Sequence, residues 1–268
     1  MPTWRELIAA SGLPASEAQL LAAHAAGRPR SWLLAHDDEE AGAAANTLHV
    51  LYARRRAGEP IAYMIGQREF YSLEFTVTPD VLIPRPETEL LVDLAVARLP
   101  QRGRLLDVGT GSGAIAVAMA HARPDAAVSA CDISEAALRV ARGNAARHGA
   151  QIDFRHSDVL DGYISERFDI IVSNPPYIAE QDTHLGQGDV RFEPRLALTS
   201  GAAGMDLIRR LAASARSHLE AGGWLMFEHG HDQSPACTAL LQSLGYAQVR
   251  DFSDLAGIPR VCTGRQAA

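Results

Sequence analysis

The chain has 268 residues, 47% hydrophobic and 21% charged, a balance that excludes a disordered chain and leaves enough length for a substantial buried core. The formal net charge of −7 excludes a global basic field that would hold nucleic acid. No apolar run approaches the roughly 20 residues of a bilayer span, and residues 1–7 carry no basic-then-apolar leader, so a cytoplasmic protein without membrane contact is expected.

Residues 1–65 read as a small helical bundle. Thr3 with Glu6, and Ser16 with Gln19, have capping-box spacing. Gly12 and Gly27 read as helix stops, and a longer helix is expected from about Asp38 to Arg56. Over residues 66–84 the β-prone Phe70, Leu73, Phe75, Val77 and Val81 predict a hairpin linking two domains, with its turn at Pro79-Asp80. Pro84 to Glu89 then stops the strand and starts a helix running to about Leu99. Pro86 suits a first turn, and Glu87 and Glu89 complement the helix dipole.

Residues 85–268 alternate strands with helices. The strand candidates are Arg104–Val108, Ala127–Cys131, Ile152–Arg155, Phe168–Ser173, Gly223–Glu228, Ala247–Phe252 and Arg260–Thr263. This pattern predicts an α/β fold with a doubly wound, mostly parallel sheet. Cys131, Cys237 and Cys262 have no metal-ligand or redox spacing and read as buried hydrophobes; no metal is expected. All the fixed cations are arginine, which we read as compositional bias.

The first strand ends in Gly109-Thr110-Gly111-Ser112-Gly113, and an apolar helix follows at once. Glycines here permit left-handed backbone and close ligand approach, and the helix start offers free N–H donors. Alone, the loop fits a dinucleotide, S-adenosylmethionine or a plain tight turn. Asp132, about 20 residues further on at the end of the second strand, can accept both hydroxyls of a ribose. The Gly-x-Gly-x-Gly spacing favours a nucleoside without a pyrophosphate. Asp158 and Val159 follow the third strand; Asp158 either accepts from an adenine amino group or is a polar turn residue.

Asn174-Pro175-Pro176-Tyr177 follows Asp169–Ser173. The prolines remove two donors and push Asn174 into an extended conformation. The resulting rigid strand end presents two acceptors, the Asn174 side-chain oxygen and the Pro175 carbonyl, with Tyr177 as a flat face. An amide or exocyclic amine nitrogen is planar and weakly nucleophilic. Two acceptors on its N–H groups would hold it and aim it at an electrophilic methyl group.

These motifs resemble the class I amino-methyltransferases. Val81 to Glu89, Gly66-Gln67-Arg68-Glu69-Phe70 and Phe192 to Leu198, with Gly201 and Gly204, resemble the PrmC/HemK family, the peptide chain release factor glutamine methyltransferases. The resemblance covers nearly the whole chain and is strongest from Gly66 to Gly204. It implies a class I, Rossmann-like methyltransferase fold with a small helical domain in front. It also implies transfer from S-adenosyl-L-methionine to the glutamine of a Gly-Gly-Gln motif in class I release factors, supporting translation termination. Gly109 to Gly113, Asp132, Asp158 and Val159 would bind the cofactor, and Asn174 would touch both cofactor and substrate. Pro175, Pro176 and Tyr177 would shape the glutamine pocket, and the N-terminal helices would dock the release factor. Some relatives carry Trp where this chain has Val159, so aromatic packing on adenine is lost there while a backbone contact is not.

A monomer without direct nucleic-acid contact is expected. The alternative is an adenine amino-methyltransferase acting on DNA or RNA, since the same tetrapeptide chemistry serves that amine. Arg85, Glu87 and Glu89 either line the site mouth or form a hinge held by ion pairs. Glu193 and Arg195 either close over substrate or form a surface pair. His229 reads as structural, and His184 lies in a polar loop, Glu180–Gly188, that is a candidate lid.

Overall fold

The structure is a computed structural model that describes residues 1–267. It divides into two compact units: Met1–Gln67 with Gly186–Phe192, and Arg68–Leu185 with the chain from Glu193 onward.

The first unit holds helices α1 (Trp4–Ala9), α2 (Ala15–Ala26), α3 (Arg30–Ala35), α4 (Ala44–Arg56) and α5 (Ile61–Ile65). Leu21, Leu33, Leu48 and Tyr52 form its core, and the Tyr52 hydroxyl donates to the Ala18 carbonyl at 3.1 Å. Thr3 and Glu6 make the reciprocal capping box. Ser16 does not cap: α2 starts directly after Pro14, which places Ser16 inside the first turn, and Gln19 accepts from Arg30 instead. Gly27 closes α2 in the left-handed region. The fourth helix begins at Ala44 rather than Asp38, because Asp37 and Glu39 give their carbonyls to the Arg5 and Trp4 amides and Asp37 pairs with the Arg5 guanidinium. Gly186–Phe192 joins this unit. Arg55 donates to Asp189 Oδ1 at 2.7 Å while its other nitrogens grip Glu17.

The second unit begins within β1 (Gln67–Phe70), which forms a two-stranded sheet with β2 (Leu73–Thr76). Its turn falls at Tyr71-Ser72, not at Pro79-Asp80. Both turn residues have positive φ, 52° and 59°, the conformation that matches strand twist in a two-residue hairpin. The Tyr71 amide and hydroxyl donate, at 2.9 Å each, to Glu89 and Asp93 of α6 (Glu89–Val96). A 3-10 turn, Pro86–Thr88, precedes that helix.

The main sheet comprises β3 (Arg104–Val108), β4 (Ala127–Asp132), β5 (Ile152–His156), β6 (Phe168–Ser173), β7 (Leu219–Glu228), β8 (Ala247–Ser253) and β9 (Pro259–Arg265). Their spatial order is β5-β4-β3-β6-β7-β9-β8, with only β9 antiparallel to its neighbours. Helices α7 (Ala114–Ala122), α8 (Glu135–Arg147), α9 (Asp206–His218) and α10 (Ser234–Ser243) flank it. Successive strand residues face opposite sides. Leu105, Ile170, Val172 and Met226 pack with α6 and α7, while Leu106, Val108, Ile171 and Phe227 pack with α9 and α10. The three cysteines are buried and free.

Strand order reverses at β3, whose neighbours are β4 on one side and β6 on the other. Such a switch point opens a crevice beyond the C-terminal strand ends. The register places Val108 beside Ser173 and Cys131, so the segments that follow these three strands emerge together. The Ser173 hydroxyl ties the first two ends by donating to the Val108 carbonyl at 2.7 Å.

Asn144 on α8 links the small hairpin to the glycine loop. Its oxygen accepts from the Thr76 amide at 2.8 Å, and its nitrogen donates to the Thr76 and Ser112 carbonyls at 2.9 Å each. The residue is fully buried. Asn144→Ala is expected to lower stability by roughly 2–4 kcal/mol, the cost of stranding buried backbone groups; urea unfolding measures it.

Candidate active site

Beyond the ends of β3, β4 and β6 lies a cavity of about 340 Å³, within the roughly 300–1,000 Å³ typical of small-molecule sites. Gly109, Thr110, Gly111 and Ser112 line it. The Gly109 and Thr110 amides donate to the Cys131 carbonyl at 2.9 Å each, which pins the loop to β4. Gly109 and Gly111 have φ of 72° and 55°, and a Cβ on either would enter open space. These glycines therefore leave room where a ligand backbone or sugar would lie. Gly113 differs. It is not part of the wall; a Cβ there would sit 3.1 Å from Ala141 Cβ, so its smallness serves the packing of α7 on α8.

Asp132 lines the cavity, with Oδ2 accepting from the Gly111 amide and Oδ1 from the Ser134 amide, both at 2.9 Å. A carboxylate has about four acceptor positions, so two backbone bonds leave capacity for hydroxyl donors. Burial pushes this carboxyl up from its ordinary range, and the backbone donors oppose that. Beneath the loop, Asp107 is fully buried. Its Oδ2 accepts from the Thr110 hydroxyl at 2.6 Å, while Oδ1 has no hydrogen-bond partner among the described residues. Burial pushes its carboxyl up to about 7.

Asp158 and Val159 also border the cavity. The Asp158 carboxylate is engaged by Arg210 at 2.8 Å, so a ligand amino group would share or displace that partner. Val159 has φ of 51°, an uncommon conformation for a β-branched residue. Its carbonyl accepts from Cys131 Sγ at 3.3 Å and Ser157 Oγ at 3.1 Å, which hold it there.

Asn174 and Pro176 face the cavity; Pro175 and Tyr177 are not among its walls. Asn174 Nδ2 donates to Thr88 Oγ1 at 3.1 Å, and the Thr88 hydroxyl donates to Glu228 Oε2 at 2.5 Å. The Tyr177 hydroxyl donates to Glu228 Oε1 at 3.1 Å, and its ring packs against the apolar cluster on the α9 side of the sheet. With its nitrogen committed to Thr88, Asn174 has its oxygen free as an acceptor. Glu228 is buried, and burial pushes its carboxyl up against the lowering influence of these two hydroxyls.

Glu193 is not part of a surface pair. Its side chain is fully buried, accepting from Arg85 and from the Ile83 amide. Arg195 is exposed. Glu89 anchors the hairpin turn. His229 is buried, with Nδ1 on the Gly230 carbonyl at 2.8 Å and Nε2 on Asp251 at 2.7 Å, a structural arrangement. His184 is exposed beside Asp182. Sequence reasoning missed Thr88, Asp107, Arg210 and Glu228 as site neighbours. Glu228 carried a usable signal, since an acid ending the strand next to β6 must lie beside the Asn-Pro-Pro segment.

This strand order, with a glycine loop after the central strand, an acid closing the next and Asn-Pro-Pro closing the neighbour, defines an S-adenosylmethionine-dependent methyltransferase. Residues 86–190 match the Methyltransferase small domain and residues 3–66 the PrmC N-terminal domain. The chain is 50% identical to the release factor glutamine methyltransferase of Bordetella pertussis, over 98% of this chain and 99% of that one. It is 49% identical to the Neisseria gonorrhoeae protein of the same name, over 98% and 97%. A methyltransferase from Pyrococcus furiosus shares the fold at 19% identity, with a TM-score of 0.58 over 82% of this chain and 99% of that one. The chain belongs to the release factor glutamine methyltransferase family.

Because folding raises the Asp107 pKa to about 7, its neutral form is the one the fold favours. Its stabilising contribution is complete below the unfolded value near 4 and is lost as pH rises towards 7. Asp107→Asn is expected to match wild type at pH 4 and to exceed it at pH 8 by a few kcal/mol at most, on the order set by that shift. Thermal unfolding of both proteins across this range checks it.

Proposed function

We propose that the chain methylates the side-chain amide nitrogen of the glutamine in the Gly-Gly-Gln motif of class I peptide chain release factors. The observation that carries this reading is the fixed orientation of Asn174, whose oxygen is left as an acceptor at the cavity wall. A planar amide NH₂ offers two donors. The Asn174 oxygen takes one; the other is assigned to the Pro175 carbonyl from the Asn-Pro-Pro-Tyr pattern and not from the cavity, since Pro175 is not among its walls. Two such acceptors would fix the nitrogen in position and enrich its electron density. Pro176 shapes the adjoining wall. Tyr177 supports the strand end from behind, since its hydroxyl is committed to Glu228. S-adenosylmethionine, when bound, supplies an electrophilic sulfonium methyl and leaves as a neutral thioether.

Gly109 to Ser112 would cradle that cofactor and Asp132 would accept its ribose hydroxyls. Asp158 and Val159 would border its adenine, and Asn174 would touch both cofactor and substrate. The fit rests on the open space over Gly109 and Gly111 and on the spare acceptor capacity of Asp132. The amide proton leaves after transfer, when the nitrogen has become acidic, so no strong base is needed. The first helical unit is assigned to release-factor docking. We further propose a cytoplasmic monomer without nucleic-acid contact, in keeping with the net charge of −7.

Labelled S-adenosylmethionine offered with a class I release factor, and separately with duplex DNA and RNA, tests the reading. Label should map to the Gly-Gly-Gln glutamine; label confined to adenine overturns the substrate assignment. Asn174→Ala is expected to lower kcat by about 10²–10³-fold, the scale of losing one oriented polar contact to a reacting group, while cofactor Kd moves little. Asp132→Ala should instead raise cofactor Kd by about 10–100-fold, as for a lost hydrogen bond to a charged acceptor. Isothermal titration separates the two effects.

A further inference from the structure

Glu228 makes no contact with the cavity, yet it ends two hydrogen-bond paths from the Asn-Pro-Pro-Tyr segment. One runs from Asn174 Nδ2 to Thr88 Oγ1 and from Thr88 Oγ1 to Glu228 Oε2; the other runs from the Tyr177 hydroxyl to Glu228 Oε1. We propose that Glu228 is a positioning residue for methyl transfer, setting through Thr88 which end of the Asn174 amide faces the substrate. The inference rests on the amide-methylation reading above.

The argument is one of proton count. A threonine hydroxyl has a single proton. When the Glu228 carboxylate takes that proton, Thr88 can only accept from its other neighbour. The atom of Asn174 that meets it must then be the NH₂, and the oxygen is left for the substrate N–H. A protonated Glu228 can donate to Thr88 instead. The Thr88 proton is then free to point at Asn174, and the amide is stable in the flipped orientation, with its NH₂ towards the substrate. An NH₂ opposed to a substrate NH₂ is donor against donor and repels it. The carboxylate therefore imposes the polarity of the relay, and its neutral form relaxes that polarity.

The groups around Glu228 determine when this happens. Burial favours the neutral carboxyl, as does Glu87 on the 3-10 turn, whereas the Thr88 and Tyr177 hydroxyls and Arg260 on β9 favour the carboxylate. His229, the next residue in the chain, is paired with Asp251 on β8. The net direction is upward, so the carboxylate is retained at neutral pH less firmly than an exposed glutamate would be. With cofactor saturating, kcat should rise with pH through the Glu228 transition and then level off. Titration of Asp132 would appear in kcat/KM for the cofactor instead.

The test is Glu228→Gln, which keeps shape but cannot impose polarity, assayed alongside Thr88→Val and Thr88→Ser. Glu228→Gln should lower kcat by about 10–100-fold, the equivalent of one charge-assisted hydrogen bond, with cofactor Kd unchanged and the acid limb of kcat abolished. Thr88→Val should lower kcat similarly, and Thr88→Ser should restore both turnover and the limb. Wild-type kcat with an intact acid limb in Glu228→Gln overturns the proposal.

A readout independent of turnover is the side-chain amide ¹⁵N signal of Asn174, assigned by its loss in Asn174→Asp. It should shift with pH in wild type and lose that shift in Glu228→Gln and Thr88→Val. A wild-type shift that survives in both variants refutes the relay whatever the substrate is. Label appearing on adenine rather than glutamine would overturn the substrate reading while this signal still decides the relay.

Discussion

Parallel pairing of β3 with β6 is the constraint from which the site follows. Val108 lies beside Ser173, and the Ser173 hydroxyl bonds the Val108 carbonyl. The backbone therefore delivers the glycine loop and the Asn-Pro-Pro segment to the same edge, one strand spacing apart. A slip of one residue in this register would turn Leu105, Ile170 and their partners to the wrong faces of the sheet. The apolar packing that stabilises the fold thus also holds the active-site alignment. Pairing of β4 adds Asp132 on one side, and pairing of β7 adds Glu228 on the other.

Four acids are withdrawn from water around this edge, each in a different setting. Asp132 is held by backbone amides and keeps acceptor capacity towards the cavity. Asp107 has one oxygen satisfied and one orphaned, an arrangement suited to a neutral carboxyl. Glu193 is neutralised by Arg85 and tethers the segment that contributes Pro194 and Leu196 to the cavity wall. Glu228 is held by two neutral hydroxyls with Arg260 further off, so its charge is supported without a directly bonded cation. Buried charge costs several kcal/mol unless paired, and the differing pairings give these acids different tasks.

The sheet was legible in the sequence because its strands are short apolar runs separated by helical stretches; Arg104–Val108 and Phe168–Ser173 are bounded as predicted. Local backbone detail was less legible. The hairpin turn uses Tyr71 and Ser72 in a conformation usually taken by glycine or asparagine, and side-chain contacts from α6 hold it there. Pro79-Asp80 looked like the stronger turn signal but lies beyond the ladder. Gly109, Gly111, Asp132 and Asn174 could be placed at the cavity from motif spacing alone, since each sits within three residues of a strand end. Thr88 and Arg210 could not, because each reaches the site from a helix or turn far away in sequence. Tyr177 shows the limit of such reasoning: its aromatic character suggested a stacking surface, whereas its hydroxyl and ring are both turned into the protein.

The burial of Cys131, Cys237 and Cys262 has a practical side. The sequence contains no lysine, and burial raises all three thiols well above the usual thiol range. The folded surface is therefore nearly silent to the thiol- and amine-directed reagents of bioconjugation. A single cysteine introduced at exposed Leu196, on the cavity rim, would be a unique attachment point for a fluorophore without prior removal of the native cysteines.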